Sequence, residues 1–399
     1  MKVCFETFGC RLNRAEALDL EARFVSRGWT TTERHDDADM IVVRCCSVTH
    51  RAQRDCERLV EHIRGKYPTK RVVVTGCTAE KLHEQWLADM RDAPSVVPTR
   101  TARAYLKVQD GCSGKCAFCI VPTFRGVARS VPFEDVLARA SRFVEAGYHE
   151  IVVTGCNLSQ YVSGTRRLPE LVDALAALDP ACRVRLGSLE PAPVAMDVVA
   201  AVAASKNACR YLHVPVQSGS DRVLTAMRRP YKRKDVERLV SEAAKLMPGL
   251  GLGCDIMTGF PDETPNDFLA TKGLLERLPF TKVHVFPFSE RPGTIAAGLP
   301  NAVPPEVRTD RAREVARWSE KARTDFIRRM KGRTVQIVVE DESTLSGWTS
   351  EYVWCQIGSE KAKTLARSHG GQEAKIRRKD LVSVLVREAV GHVLTGDPA

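Results

Sequence analysis

Three cysteines stand close together in the run Gly111-Cys112-Ser113-Gly114-Lys115-Cys116-Ala117-Phe118-Cys119. Their C-x3-C-x2-C spacing lets three thiolates hold three irons of a [4Fe–4S] cube, a cluster that ordinarily takes four cysteines. The fourth iron is then open to a ligand that is not a cysteine. An open iron is a place for chemistry, whereas a closed one suits structure or electron transfer. Zinc is the rival ion, but a structural zinc takes four ligands, usually as two pairs. The chain has no second C-x2-C pair. His213 or another cysteine could supply a fourth ligand, yet the three-cysteine loop favours the cube.

A second trio is spread over the first part of the chain. Val3–Phe8, Met40–Cys45 and Arg71–Thr75 read as apolar strands, with helical periodicity over Ala15–Arg27 and Ala52–Lys66 between them. Alternating strands and helices imply an open parallel sheet. Cys10, Cys46 and Cys77 each fall just past a strand, where open α/β sheets gather ligands. Gly9 and Gly76 precede two of them and would let backbone approach a bulky group. Three unrelated core thiols are the plainer alternative.

The elements that must position these residues divide the 399-residue chain into an N-terminal α/β domain (1–90), a linker (91–103), a central domain (104–331) and a small C-terminal one (332–390). In the central part, strand-like runs at Tyr105–Val108, Glu150–Thr154, Arg183–Gly187, Tyr211–Val216, Gly251–Ile256 and Lys282–Phe286 alternate with helical runs. Six βα repeats predict a partial (β/α)6 barrel, with Thr154-Gly155-Cys156-Asn157, Ser188-Leu189-Glu190, Gln217 and Gly259 at the rim where barrel enzymes place their sites. A helical run, Glu306–Arg329, leads into the tail. There Thr334–Val339, Tyr352–Gln356 and Leu381–Val386 predict a small all-β barrel punctuated by Gly347, Gly358, Gly370 and Gly371. The net charge of +11 admits a polyanionic partner. No apolar run is long enough to span a bilayer, and the first residues lead directly into a strand with no secretory pattern, so a cytoplasmic protein is expected. Among the 14 cysteines, Cys4, Cys182, Cys209, Cys254 and Cys355 read as small buried hydrophobes.

Val108-Gln109-Asp110-Gly111-Cys112 through Cys119-Ile120-Val121-Pro122, with Arg125-Gly126, resembles the radical S-adenosylmethionine (SAM) signature of the methylthiotransferases. Thr7-Phe8-Gly9-Cys10-Arg11-Leu12-Asn13, Cys46-Ser47-Val48-Thr49 and Val74-Thr75-Gly76-Cys77 resemble that family's N-terminal domain. Gly347-Trp348-Thr349-Ser350-Glu351-Tyr352-Val353 resembles a TRAM domain, a small RNA-binding barrel. Gln217-Ser218-Gly219-Ser220, Gly259-Phe260-Pro261 and Phe288-Ser289-Glu290-Arg291-Pro292-Gly293-Thr294 agree as well. One departure stands out: Arg44-Cys45 replaces the usual Asn-Thr before the second cysteine. Cys45 is thus an alternative to Cys46, although Cys46 aligns with Ser47-Val48-Thr49.

The resemblance implies two [4Fe–4S] clusters. One, on Cys112, Cys116 and Cys119, would bind SAM, whose one-electron cleavage gives a radical able to remove hydrogen from an unactivated C–H bond. The other, on Cys10, Cys46 and Cys77, would present the sulfur that is transferred. Thr154, Gly155, Asn157, Ser188, Glu190, Gln217 and Gly259 would contact SAM, Gly259 by letting adenine lie on bare backbone. No catalytic side chain is implied beyond these. Implied partners are the anticodon stem-loop of tRNA, an electron donor such as flavodoxin or ferredoxin, and a sulfur source.

Family members modify an adenosine in tRNA or an aspartate of a ribosomal protein. The basic charge and the run Arg228-Arg229-Pro230-Tyr231-Lys232-Arg233-Lys234, with an aromatic on which a base could stack, favour tRNA. Gly9-Cys10-Arg11-Leu12-Asn13 and Asp110 look most like the branch acting on N6-threonylcarbamoyladenosine, giving C2 methylthiolation at position 37. The isopentenyl-adenosine branch usually has Gln-Met after the first cysteine and Glu in place of Asp110. A non-catalytic iron–sulfur RNA-binding protein is the alternative of another class.

Overall fold

The computed structural model describes residues 1–46, 50–77, 100–358 and 376–399. Ser47-Val48-Thr49, residues 78–99 at the expected domain end and linker, and Gly370 and Gly371 lie outside the described residues.

The N-terminal sheet is parallel, in the order Thr30–Thr32, Lys2–Thr7, Met40–Cys45, Arg71–Gly76. Its three longer strands are the expected ones. The edge strand Thr30–Thr32 has only three residues and leaves no periodic trace. Strand alternation sends Met40 and Val42 to one face, where they pack with Val3, Leu20 and Phe24. Ile41, Val43 and Cys45 face the helix His50–Lys66, packing with Cys56, Val60 and Ile63. The helix Arg11–Ser26 is buried on two sides. Leu20 and Phe24 cover its own sheet, while Ala15 and Leu18 pack against Tyr105 and Val152 of the central domain.

The central domain has six parallel strands in chain order: Ala104–Lys107, Glu150–Thr154, Arg183–Leu186, Tyr211–Gln217, Gly251–Thr258 and Lys282–Pro287. They pair as two three-stranded runs, joined through the bridges Val184↔Ala208 and Ser188↔His213. This is the expected open (β/α)6 arrangement, with an apolar core between strands and outer helices. The inner face is polar. Glu150, fully buried, receives Arg183 at 2.6 Å and Arg185 at 2.7 Å.

The tail is a closed barrel of five strands, Thr334–Asp341, Ser346–Thr349, Trp354–Ile357, Val393–Pro398 and Leu381–Val390 in spatial order. Two of these carry no long apolar alternation and were not expected. The third starts at Trp354, not at Tyr352, because Tyr352 has φ of 64° in the turn before it. The helix Pro305–Arg328 leads in. The tail docks on the central domain through backbone: Arg183 donates to the carbonyls of Gln336 and Trp348, and Arg185 to those of Thr349 and Ser350.

Candidate functional site

The Cys112 loop is closed at its base by a short antiparallel ladder, Gln109–Asp110 with Arg129–Ser130, and by Cys112 N–H donating to Gly126 at 3.0 Å. Its far side is pinned by Ala117, whose N–H donates to Met227 and whose carbonyl accepts from Ala296. The three sulfurs share this loop. Gly114 N–H donates to Cys112 Sγ at 3.3 Å, and a Cβ on Gly114 would lie 3.2 Å from Cys112 Sγ and 3.8 Å from Cys116 Sγ. Burial, then the neighbouring Cys116 and Cys112, push the Cys119 thiol up to about 11. Three thiolates here therefore require a cationic partner, as metal ligation supplies. One is partly supplied by protein: Arg229 donates to Cys116 Sγ at 3.0 Å. The residues fit an iron–sulfur cube with one iron free of cysteine.

The rim residues expected around SAM fall into two sets. Asn157 Nδ2 donates to Glu190, and Glu190 is held by Arg229 at 2.6 Å. Asn157 N–H is fixed by Gln109 Oε1 at 2.9 Å, the same side chain that a Cβ at Gly155 would strike. Thr154 is buried at the end of the second strand. These four meet beside the cysteine loop. Ser188 is exposed, level with His213. Gln217 takes a φ of 68° where its strand pairs irregularly. At Gly259 the direction of a Cβ is filled by Arg308, so close packing of Arg308 explains this glycine without a ligand.

The second trio converges at one edge of the N-terminal sheet. A Cβ on Gly9, at φ 93°, would lie 2.4 Å from Cys46 Cβ, and one on Gly76, at φ 107°, would lie 2.3 Å from the Cys45 carbonyl. The glycines thus let the cysteine-bearing segments approach one another. Cys77 N–H donates to the Cys45 carbonyl at 3.2 Å. Buried Asn13 bridges them, donating to the Phe8 and Cys45 carbonyls at 3.0 and 2.8 Å. Cys45 itself points the other way and is disulfide-bonded to Cys56, a pairing the sequence reading did not anticipate. Cys4, Cys182, Cys209, Cys254 and Cys355 are buried, as expected.

Arg125 joins the two trios. It comes from the short helix Val121–Arg125 after Cys119. Its Nε donates to Cys77 Sγ at 3.2 Å, Nη2 to Asn13 Oδ1 at 3.0 Å, and Nη1 to Asp110 at 2.9 Å and Glu16 at 3.0 Å. Burial opposes ionisation of Glu16, but Arg125, Arg44 and Lys107 outweigh it and hold its carboxyl well below the usual range. Cys156 faces the same group, donating to Asp110 at 3.6 Å. Arg291 reaches the N-terminal domain as well, donating Nη1 to Gln53 at 2.8 Å. Arg125 and Arg291 stand in motifs quoted above, but spacing alone gives no hint that they cross between domains.

One sequence reading is corrected. Tyr231 is 3% exposed and its hydroxyl donates to Pro215, so it is a core residue and no platform for a base. Arg229 of the same run points inward to Cys116. His213, raised from the sequence only as a zinc's fourth ligand, is a buried histidine that bonds Asp255 at 2.9 Å and Tyr211 at 3.2 Å. The basic and aromatic residues that do share a surface lie elsewhere. A cleft of about 750 Å³ between the N-terminal sheet, the first barrel strand and the tail is lined by Cys10, Arg11, Arg103, Trp348, Tyr352 and Trp354, among others.

An open six-stranded barrel with this cysteine loop at its rim is the architecture of radical SAM enzymes, and residues 106–275 match the Radical SAM superfamily. Residues 2–97 match a family described as uncharacterized protein family UPF0004. The radical SAM methyltransferase TsrM from Kitasatospora setae shares the fold, with a TM-score of 0.54 at 13% identity over 74% of this chain and 77% of that one. The threonylcarbamoyladenosine tRNA methylthiotransferase MtaB of Thermotoga maritima is 30% identical over 88% of this chain and 90% of its own length. The tRNA-2-methylthio-N(6)-dimethylallyladenosine synthase of Chlorobium phaeobacteroides is 29% identical over 100% and 97%. The chain belongs to the radical SAM methylthiotransferase family: it is an enzyme that transfers a methylthio group. Among the described residues no helix is long and apolar enough to cross a membrane.

Proposed function

We propose that this chain methylthiolates C2 of N6-threonylcarbamoyladenosine at position 37 of tRNA, using two [4Fe–4S] clusters. The observation that carries the reading is Arg125, which follows the Cys112 loop and donates to Cys77 of the second trio, with a cleft opening beside Cys10. Cys112, Cys116 and Cys119 would hold the first cluster, and Cys10, Cys46 and Cys77 the second. SAM bound at the first cluster supplies one-electron removal of hydrogen from an unactivated C–H bond. Asn157 and Glu190, with Thr154 and Gly155 behind them, would orient the polar end of SAM; Ser188, Gln217 and Gly259 stand further round the rim. Arg229 and the Gly114 N–H offset thiolate charge. Arg125 ties the Cys112 loop to Cys77 and Asn13. The same reading takes the domain limits as 1–90, 104–331 and 332–390, with a cytoplasmic setting, an electron donor such as flavodoxin or ferredoxin, and a separate sulfur source.

Relatives named for dimethylallyladenosine match at similar identity, so that adenosine is the second reading. Nucleoside analysis of tRNA from a deletion strain separates them. Loss of 2-methylthio-N6-threonylcarbamoyladenosine supports the proposal, and an unchanged level overturns it.

A further inference from the structure

The lumen of the open barrel meets the tail at Tyr352. The Tyr352 ring lies 4.9 Å from that of Tyr211 and stacks on Trp348 at 4.5 Å. Three cations surround this point. Arg11 has its Cζ 4.9 Å from the centre of the Tyr352 ring. Arg323, 7% exposed, donates Nη2 to the Tyr352 carbonyl at 2.7 Å, while its Nη1 has no hydrogen-bond partner. Lys282 opens the sixth barrel strand in register with Gly253, the glycine against which the Tyr211 hydroxyl packs; burial first, then Arg323 and Arg11, push its ammonium down.

None of these three has a carboxylate partner among the described residues. Nearby acids do not close on them. Asp255 is held by His213 and His284, Glu351 turns one oxygen to Arg333 at 3.9 Å and leaves the other unpartnered, and Glu320, the acid that acts on Lys282 and Arg323, pairs with His392 at 2.8 Å. Arg185 makes the contrast: it too lies 4.9 Å from the Tyr352 ring, but Glu150 neutralises it. Arg323 is buried and Arg11 and Lys282 are half-buried, and cations drawn out of water are costly unless an anion completes them. Arg11 and Tyr352 also line the cleft that contains Cys10, so an anion here would sit within one small molecule's reach of the second trio.

We propose that Arg11, Lys282 and Arg323 form a pocket for the carboxylate that ends the threonylcarbamoyl side group, and so select it over an uncharged dimethylallyl group. This rests on the methylthiotransferase reading given above. N6 and C2 belong to one ring, so a side-group anion belongs near the Cys10 centre but not on it. A backbone phosphate would have to bring its flanking nucleotides to the buried end of the lumen.

The test uses the full chain with reconstituted clusters and anticodon stem-loops of one sequence. The adenosine at position 37 carries the threonylcarbamoyl group, its uncharged carboxamide, or nothing, and affinity is read by fluorescence anisotropy at fixed salt. The wild type should prefer the carboxylate over the carboxamide by about tenfold, as a charge-assisted contact provides. Arg323→Gln and Lys282→Gln should each abolish that preference and leave the unmodified stem-loop's affinity unchanged, and Arg323→Lys should restore part of it. Lys282→Gln serves where loss of the Arg323 bond impairs folding. Equal weakening of all three stem-loops would assign the cations to backbone phosphate and overturn the pocket. A preference that survives in both variants, or is absent from the wild type, also overturns it. The tRNA nucleoside product, measured separately, shows whether the reaction itself was read correctly.

Discussion

At the scale of single residues, the choice between Cys45 and Cys46 follows from strand alternation. Cys45 shares a face with Ile41 and Val43 and is buried against Cys56, while the next residue turns to the opposite side, against Gly9. Cys46→Ala should therefore cut the iron content of reconstituted protein from about eight to about four per chain, and Cys45→Ala should keep both cubes. Iron and sulfide analysis of the two variants checks this; the reverse pattern would reassign the ligand. Arg125 touches Cys77 directly, so its loss acts on the second cluster. Arg125→Gln should lower methylthio product by about 10–100-fold, the usual effect of removing a hydrogen bond to a metal ligand. It should also shift the reduction potential of the second cluster and leave that of the Cys112 cluster in place. Potentiometric titration followed by EPR separates this from general misfolding. The Cys112 trio was legible from spacing alone, because its three ligands are local. Arg125 was not, because its partners Cys77, Asn13 and Glu16 are remote in sequence.

At the scale of elements, two contacts decide whether the site is assembled. Gly76 lies at the end of a strand with positive φ, against the Cys45 carbonyl. Gly76→Ala should destabilise the N-terminal domain by about 1–3 kcal/mol through backbone strain and a forced shift of the strand end, read as a lower midpoint in urea. The second contact is the Glu150 centre, where Arg103, Arg183 and Arg185 converge and each goes on to the tail, Arg103 through Glu340 and the other two through backbone carbonyls. Glu150→Gln leaves those buried guanidinium groups uncompensated and should cost about 3–5 kcal/mol, measured by thermal unfolding. The strands carrying Glu150, Arg183 and Arg185 were legible as apolar runs. Their inward-facing charges are explained by closure of the lumen on the tail. The run from Arg228 to Lys234 misled for the opposite reason: it is polar in sequence, but its central tyrosine and Arg229 point into the barrel.

At the scale of the molecule, the three units are joined by buried ion pairs as well as by apolar contacts. Glu16 ties the N-terminal helix to Lys107 and Arg125, and Glu150 serves the tail. Burial raises both carboxyls, but their arginine and lysine partners prevail and hold them below the usual range. A depressed carboxyl stabilises the folded state above its unfolded value of about 4.3, and that contribution is lost as pH falls through the folded value. The melting temperature should be level from pH 8 to about 5 and fall steeply below about 4.3. Glu16→Gln should melt lower at neutral pH and show a shallower acid slope. A Glu16→Gln profile parallel to the wild type would show that this contact does not join the units.

The chain alone determined the class of chemistry, because three closely spaced cysteines and six βα repeats are local patterns, readable wherever they occur. It also pointed to the second trio, since cysteines just past neighbouring parallel strands can meet at one edge. Tertiary structure decided what lies between: which of two adjacent cysteines faces that edge, which arginine spans the trios, and where three uncompensated cations meet. Those depend on side-chain direction and on partners tens to hundreds of residues apart, and neither is encoded in any short stretch of sequence.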